Sequence, residues 1–119
     1  MNKICTSIEQ SKKLIELGID VNTADMCWCN ENDAITVPYN QACEIVKDYP
    51  AWSLSALIEL IPDKISINNE SYDLSFTKKS VEFRGPITWD GQKAKSFEMD
   101  NILDAAFEMV CWLLKNKKI

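Results

Sequence analysis

The strongest constraint on the fold is an apolar segment near the end of the chain, Ile102–Leu114, whose only charged residues are Asp104 and Glu108. On a helix these two carboxylates lie one turn apart and form a narrow polar stripe, so the helix has almost no side suited to water. The segment is shorter than the about 20 residues that span a bilayer. We therefore predict no membrane span but a helix that protein covers, either from this chain or from a second copy.

Two sides of this helix need different cover. The first side is assigned to a sheet, and the second needs either another helix of the same domain or a second subunit. If a second subunit covers it, Met109 and Trp112 are candidate anchors of a homodimer, and Trp89 is a further candidate for an interaction surface. The first side comprises Leu103, Phe107, Val110 and Leu114, and the second comprises Ile102, Ala105, Met109 and Trp112.

Length and charge limit the class of protein. A chain of 119 residues can bury about two thirds of its unfolded surface, so we predict a single domain over residues 1–119. With 18 acidic and 13 basic residues, its formal net charge is −5, which disfavours nucleic acid as a partner. The segment Met1–Glu9 has one lysine and no apolar run of the kind that a secretory signal requires. We therefore expect a cytoplasmic protein.

Five cysteines and no histidine restrict the chemistry of the chain. An odd number leaves one cysteine unpaired under any connectivity, and free thiols are the ordinary state in a reducing compartment. Cys27 and Cys29 are separated by one residue, whereas a thioredoxin-type redox motif needs two. Zinc sites normally have four ligands in spaced pairs, which this sequence lacks. We therefore predict reduced cysteines, no bound metal and no cofactor.

The first half of the chain shows one clear helix signal. Thr6 and Glu9 have the spacing of a capping box, and Gly18 suits the left-handed residue that closes many helices, so a helix is predicted over Ser7–Leu17. The pattern that follows predicts a hairpin of Met26–Cys29 and Ala34–Val37 and a short helix over Gln41–Lys47.

At Pro62 the hydrophobic period changes from 3.6 to 2, which marks the passage from a helix that starts at Ser53 to strands. The alternation that follows predicts a sheet with one apolar face, covered by the helices around Leu57 and Val110. The predicted fold class is α+β: a three-stranded antiparallel β-meander packed against helices, with a largely buried C-terminal helix. The strands are Ile65–Ile67, Tyr72–Phe76 and Val81–Phe83, and residues 87–97 are either a further hairpin or a loop.

Four segments carry a resemblance to a known family: Thr6–Asp20, Thr23–Met26, Pro50–Leu57 and Asp104–Leu114. They resemble short, uncharacterised proteins of gut Bacteroidales that are carried on prophages or other mobile elements. The resemblance implies a cytoplasmic protein from such an element. The family has no assigned activity or cofactor, so the resemblance transfers no functional residue. Cys27 departs from the family, which has an aromatic residue there.

Catalysis has weak support in the sequence. Asp104 and Glu108 could in principle divide acid and base roles, but carboxylates one turn apart more often form the solvated stripe of a helix. The glycines are scattered, so no phosphate-binding loop of a known type is present. An enzyme of an unrecognised type therefore stays an alternative.

The second alternative is a nucleic-acid-associated regulator. The helix that ends at Gly18, followed by a second start near Asn22, has the outline of a helix-turn-helix. That corner would present Asp25 and has no arginine or lysine before Lys47, which suits neither bases nor phosphates. By elimination we favour a protein-interaction module whose partner is another protein or a second copy, and the four tryptophans are candidates for its contacts.

Overall fold

The computed structural model describes residues 4–28, 34–35, 49–67, 70–85 and 93–119. The chain forms two compact units, Met1–Glu59 and Leu60–Ile119, and each is described by itself. Across the described residues the protein is α+β, as the sequence predicts, with three α-helices and two antiparallel sheets. The prediction of a single domain stays a prediction.

The elements take their bounds as follows. The helices are α1 (Ile8–Glu16), α2 (Leu54–Leu60) and α3 (Ile102–Lys115), and a short 3₁₀ turn covers Val21–Thr23. The strands are β1 (Met26–Trp28), β2 (Ala34–Ile35), β3 (Tyr49–Ala51), β4 (Lys64–Ile67), β5 (Glu70–Phe76), β6 (Ser80–Arg84) and β7 (Lys93–Glu98). The first sheet has the order β2-β1-β3 and the second the order β4-β5-β6-β7.

The N-cap of helix α1 lies one residue later in the chain than the sequence predicts. Ser7 is the N-cap, and its hydroxyl accepts a hydrogen bond from the Gln10 backbone at 3.1 Å while the Gln10 side chain accepts one from the Ser7 backbone at 2.9 Å. The predicted pair Thr6 and Glu9 is therefore wrong, because Thr6 is engaged elsewhere. Gly18 closes the helix as predicted, with φ of +99°.

Thr6 is the centre of a buried polar network in the first unit. Its backbone N–H donates to the Trp52 carbonyl at 2.9 Å, and its side-chain Oγ1 accepts a hydrogen bond from Trp52 N–H at 3.0 Å. Ser11 Oγ lies 2.8 Å from Thr6 Oγ1 and itself donates to the Ser7 carbonyl. A hydroxyl has one proton, so Thr6 donates to Ser11. The Trp28 indole completes the network by donating to the Thr6 carbonyl at 2.9 Å.

The helix-turn-helix outline is wrong. After Gly18 the chain forms the 3₁₀ turn Val21–Thr23, capped by Asp20, and then enters strand β1. Residues 19–28 therefore contain no recognition helix. Asp25, which the outline assigned to that helix, instead accepts hydrogen bonds from the backbone and the hydroxyl of Ser53 at the start of α2.

The predicted hairpin of the first unit is confirmed for its core: β1 pairs with β2 in antiparallel fashion, with Cys27 opposite Ile35. A third strand, β3, pairs with the other side of β1 and was not predicted. Pro50 lies in β3, and proline normally argues against a strand because it has no N–H to donate. Here β3 is an edge strand of its sheet, which is the position that tolerates proline.

In the second unit the three predicted strands are present and antiparallel, but the sheet has four strands. The fourth, β7, pairs with β6 in antiparallel fashion, with Phe97 opposite Val81. The three-stranded description is therefore wrong, because residues 93–97 belong to a fourth strand, whereas the choice between a hairpin and a loop for residues 87–92 lies outside the described residues. Sequence alternation misses β7 because Phe97 is its only large apolar residue.

Helix α3 packs on β6 and β7, where Val81 and Phe83 are buried. The predicted polar stripe is present, because Asp104 and Glu108 are partly exposed while nearly all their apolar neighbours are buried. The C-terminal helix is thus largely buried, as predicted. The predicted cover by the helix around Leu57 stays a prediction.

Three sequence predictions lie outside the described residues: the helix over Gln41–Lys47, the turn that follows Cys29, and Trp89. Among the residues that the structure does describe, no helix has the length and apolar content to cross a membrane.

Candidate interaction surface

The second sheet has two chemically different faces. Pairing in register places residues on common sides, because side chains alternate along each strand and paired residues share a face. The apolar face carries Ile65, Ile67, Glu70, Tyr72, Leu74, Phe76, Val81, Phe83, Lys95 and Phe97. The polar face carries Lys64, Ser66, Ser71, Asp73, Ser75, Ser80, Glu82, Arg84, Ser96 and Glu98.

The apolar face is not buried along its whole length. Phe76 and Phe97 lie on either side of Val81 in one row across β5, β6 and β7. Val81 is buried, whereas Phe76 is 50% exposed and Phe97 is partly exposed. Met99, which follows β7 and donates its N–H to the Lys79 carbonyl at 3.0 Å, is 37% exposed at the same end. We call Phe76, Phe97 and Met99 the turn-end patch.

The turn beside this patch is built by one threonine. Thr77 Oγ1 accepts hydrogen bonds from the backbones of Lys79 and Ser80 at 3.3 and 3.2 Å, and Thr77 N–H donates to the Ser80 carbonyl at 2.9 Å. Lys95 lies on the same face, with its Nζ 4.9 Å from the centre of the Phe97 ring. The patch is therefore held by a hydrogen-bonded turn and has a cation beside one of its rings.

The sequence-predicted surface residues are not brought together. Met109 is fully buried, whereas Trp112 on the same helix is partly exposed. Trp112 lies one turn after Glu108 and two after Asp104, so it extends the polar stripe instead of sharing a flank with Met109. Trp89 lies outside the described residues. Of the three, Trp112 is therefore the one whose side chain is shown to reach the surface.

The edges of the second sheet carry features that oppose strand addition. The edge strand β4 contains the exposed Lys64, whose Nζ lies 3.8 Å from Asp73 Oδ1. The edge strand β7 contains Lys95 and has an irregular register beside Phe83 and Arg84. Lysines and bulges on edge strands disfavour pairing with another chain. A partner is therefore better accommodated by side chains on a face than by an added strand.

Glu82 is the most buried charge among the described residues of the second unit, with 2% of its surface exposed. Its Oε1 accepts a hydrogen bond from Arg84 Nε at 2.6 Å, and its Oε2 lies 3.5 Å from Ser96 Oγ. Glu82 stands between Ser75 and Ser96 in one row of the polar face. Removing the Arg84 side chain would take one charged partner from a buried carboxylate, which is expected to destabilise the sheet.

Cys5, Cys27 and Cys111 are buried and not joined in disulfides. Among the described residues, no three histidine, cysteine or acidic side chains are grouped to hold a metal ion. On the apolar face, partial burial raises the pKa of Tyr72, and the hydrogen bond that its hydroxyl donates to Glu70 at 3.2 Å acts in the same direction.

Comparisons with protein families, with curated proteins and with solved structures found no match to this chain.

Two parts of the surface were missed by sequence reasoning. Met99 follows a strand whose alternation is too weak to predict, so no signal marked it. Phe76 belongs to the apolar face that the alternation predicts. Alternation shows which side of a strand is apolar, but not how far along the strand other elements cover that side. The exposure of Phe76 is therefore a result of tertiary packing alone.

Proposed function

We propose that the protein is a small cytoplasmic protein-interaction module without catalytic activity, carried by a prophage or another mobile element. The observation that carries the proposal is the turn-end patch, where an aromatic ring and a methionine are exposed near the buried Val81. Aromatic residues and methionine are enriched in protein interfaces. Phe76 and Met99 are therefore the first candidates for contact residues, with Trp112 as a second contact on α3.

The partner is proposed to be another protein that inserts an apolar side chain between Phe76 and Met99. This geometry favours side-chain docking, because the lysines on both edge strands disfavour the addition of a strand. The patch is small, and interfaces of such size depend on a few well-buried anchor residues. Loss of Phe76 is therefore expected to weaken binding more than loss of any charged residue around it.

A capture experiment from cells of the native host tests the proposal. The tagged wild-type chain is compared with a Phe76→Ser, Met99→Ser double variant and with Ile15→Ser. Ile15 serves as the control because it lies in the first unit and has the same exposed fraction as Met99, 37%. We expect a partner that the wild type and the control retain and the double variant loses. Equal recovery by all three chains would contradict the assignment of the patch.

The simplest partner of this kind is a second copy of the chain. If a second copy is the partner, sedimentation velocity over a concentration series shows a dimer in the wild type and a monomer in the Phe76→Ser, Met99→Ser variant. A wild-type chain that sediments as a monomer at every concentration would exclude the homodimer and leave a different protein as the proposed partner.

A further inference from the structure

The end of α3 contains an unusual backbone conformation. Among the described residues, Lys117 is the one non-glycine residue with a positive φ, at 55°. A residue with a side chain pays a free-energy cost of about 1 kcal/mol for this left-handed conformation. The conformation closes the helix, since Lys117 N–H donates to the Leu114 carbonyl at 3.3 Å and Lys118 N–H donates to the Leu113 carbonyl at 2.8 Å.

This closure directs Lys118 toward strand β4. The Lys118 ammonium donates a hydrogen bond to the Ser66 carbonyl at 3.1 Å. Leu74 N–H donates to the Asp63 carbonyl at 2.8 Å, so the odd-numbered residues of this strand direct their backbone groups toward β5. The carbonyl and the N–H of Ser66 therefore point away from β5, to the outer edge of the sheet.

We propose that residues 116–118 act as an edge guard for β4. The left-handed turn at Lys117 holds the Lys118 ammonium over the outer edge, where it occupies a backbone acceptor that a strand from a second copy would need. Ile65 and Ile67 make β4 apolar on one face, which is the composition that needs protection against edge-to-edge pairing. Lys64 adds a second charge to the same strand.

The test compares the assembly of concentrated protein in three variants. Lys118→Ala removes the ammonium, Lys118→Arg keeps a donor, and Lys115→Ala removes an exposed lysine from the same end of α3. We expect Lys118→Ala to shorten the lag of amyloid-dye fluorescence severalfold relative to the wild type, and the other two variants to keep the wild-type lag. Amyloid-dye fluorescence reports sheet extension, so it is separate from a dimer formed through the turn-end patch.

A second substitution identifies the edge involved. Ser66→Pro removes an N–H that points to the outer edge, so it costs no hydrogen bond to β5 and blocks pairing of β4 with another strand. Placed in the Lys118→Ala chain, it is expected to restore the wild-type lag, with circular dichroism used to check that the chain is folded. A Lys118→Ala lag equal to that of Lys115→Ala, or no restoration by Ser66→Pro in a folded chain, would overturn the proposal.

Discussion

In the first unit, a buried threonine holds the backbone of the N-terminal segment against the segment before α2, with hydroxyl and indole groups completing its hydrogen bonds. In the second unit, an apolar helix lies on an antiparallel sheet, and the buried groups of that helix are nearly all hydrocarbon. The first arrangement depends on direction, because a hydrogen bond requires a particular geometry. The stability of the second depends on the buried volume and area, so it tolerates substitutions that keep a similar apolar volume buried.

The difference extends to the surfaces of the two units. Ile4 and Ile15 are exposed in the first unit, at 61% and 37%, but one precedes α1 and the other lies on it. In the second unit, Phe76 at the end of β5 and Met99 just after β7 are exposed at the same end of the sheet, and Ile119 is exposed apart from them after α3. Single exposed apolar residues are normal on protein surfaces, whereas grouped ones more often mark a contact. This contrast is the reason for assigning the interaction surface to the second unit.

The largest expected effect is a charge inside the apolar helix. Met109→Lys replaces a fully buried side chain with an unpaired ammonium, so we expect a loss of about 4 kcal/mol, a large part of the stability of a chain of this size. Trp112→Lys on the partly exposed stripe should cost about 1 kcal/mol and leave a folded protein, because the ammonium can reach water. Chemical denaturation measures both, and unfolding of the Trp112→Lys chain would contradict the division of α3 into a buried side and a stripe.

The next largest effect comes from replacing a threonine with valine in each unit. Thr6→Val keeps the shape of the side chain but leaves the buried Trp52 N–H without its acceptor and removes the hydrogen bond that Ser11 Oγ accepts, at a cost of about 3 kcal/mol. Thr77→Val removes exposed hydrogen bonds that water can replace, and it should cost less than about 1 kcal/mol. Equal losses in free energy of unfolding would show that the buried hydrogen bonds of Thr6 stabilise the chain no more than the exposed ones of Thr77.

The smallest effect uses the same helix ending in each unit. Gly18 and Lys117 both take the left-handed position after a helix. Gly18→Ala would place its methyl in open space, so its expected cost of about 1 kcal/mol comes from the backbone alone. Lys117→Gly should raise stability by about 0.5 to 1 kcal/mol for the same reason. Thermal unfolding checks both signs, and a stabilising Gly18→Ala would show that the two endings are not equivalent.

How far the sequence predicted this structure depends on the unit. The helix α3 and strands β4 to β6 follow from the spacing of apolar residues. A helix or a strand that buries one side repeats its apolar residues about every 3.6 or every 2 positions. The capping of α1 was misplaced because Thr6 with Glu9 and Ser7 with Gln10 both fit the capping pattern. The choice between them comes from the bond between Thr6 and Trp52, residues far apart in the chain, and local patterns carry no such information.

The position of the candidate site was not predictable from the sequence. The sequence indicated that α3 has more apolar surface than one sheet contact covers, and it named Met109 and Trp112 as contacts. The structure buries Met109 and leaves Trp112 on the stripe, because the helix is covered on more sides than a two-sided wheel assumes. The exposure of the turn-end patch depends on which part of the sheet other elements cover. The spacing of apolar residues in the sequence does not contain that information.

The most direct measurement is a nuclear magnetic resonance titration of the labelled chain with the captured partner or, for a homodimer, a dilution series of the chain itself. The account predicts that the largest chemical-shift changes fall on residues 74–83 and 95–102, around Phe76 and Met99, with little change in α1. Shifts concentrated around Ile4 and Ile15, with residues 74–83 unchanged, would contradict the assignment of the interaction surface to the second unit.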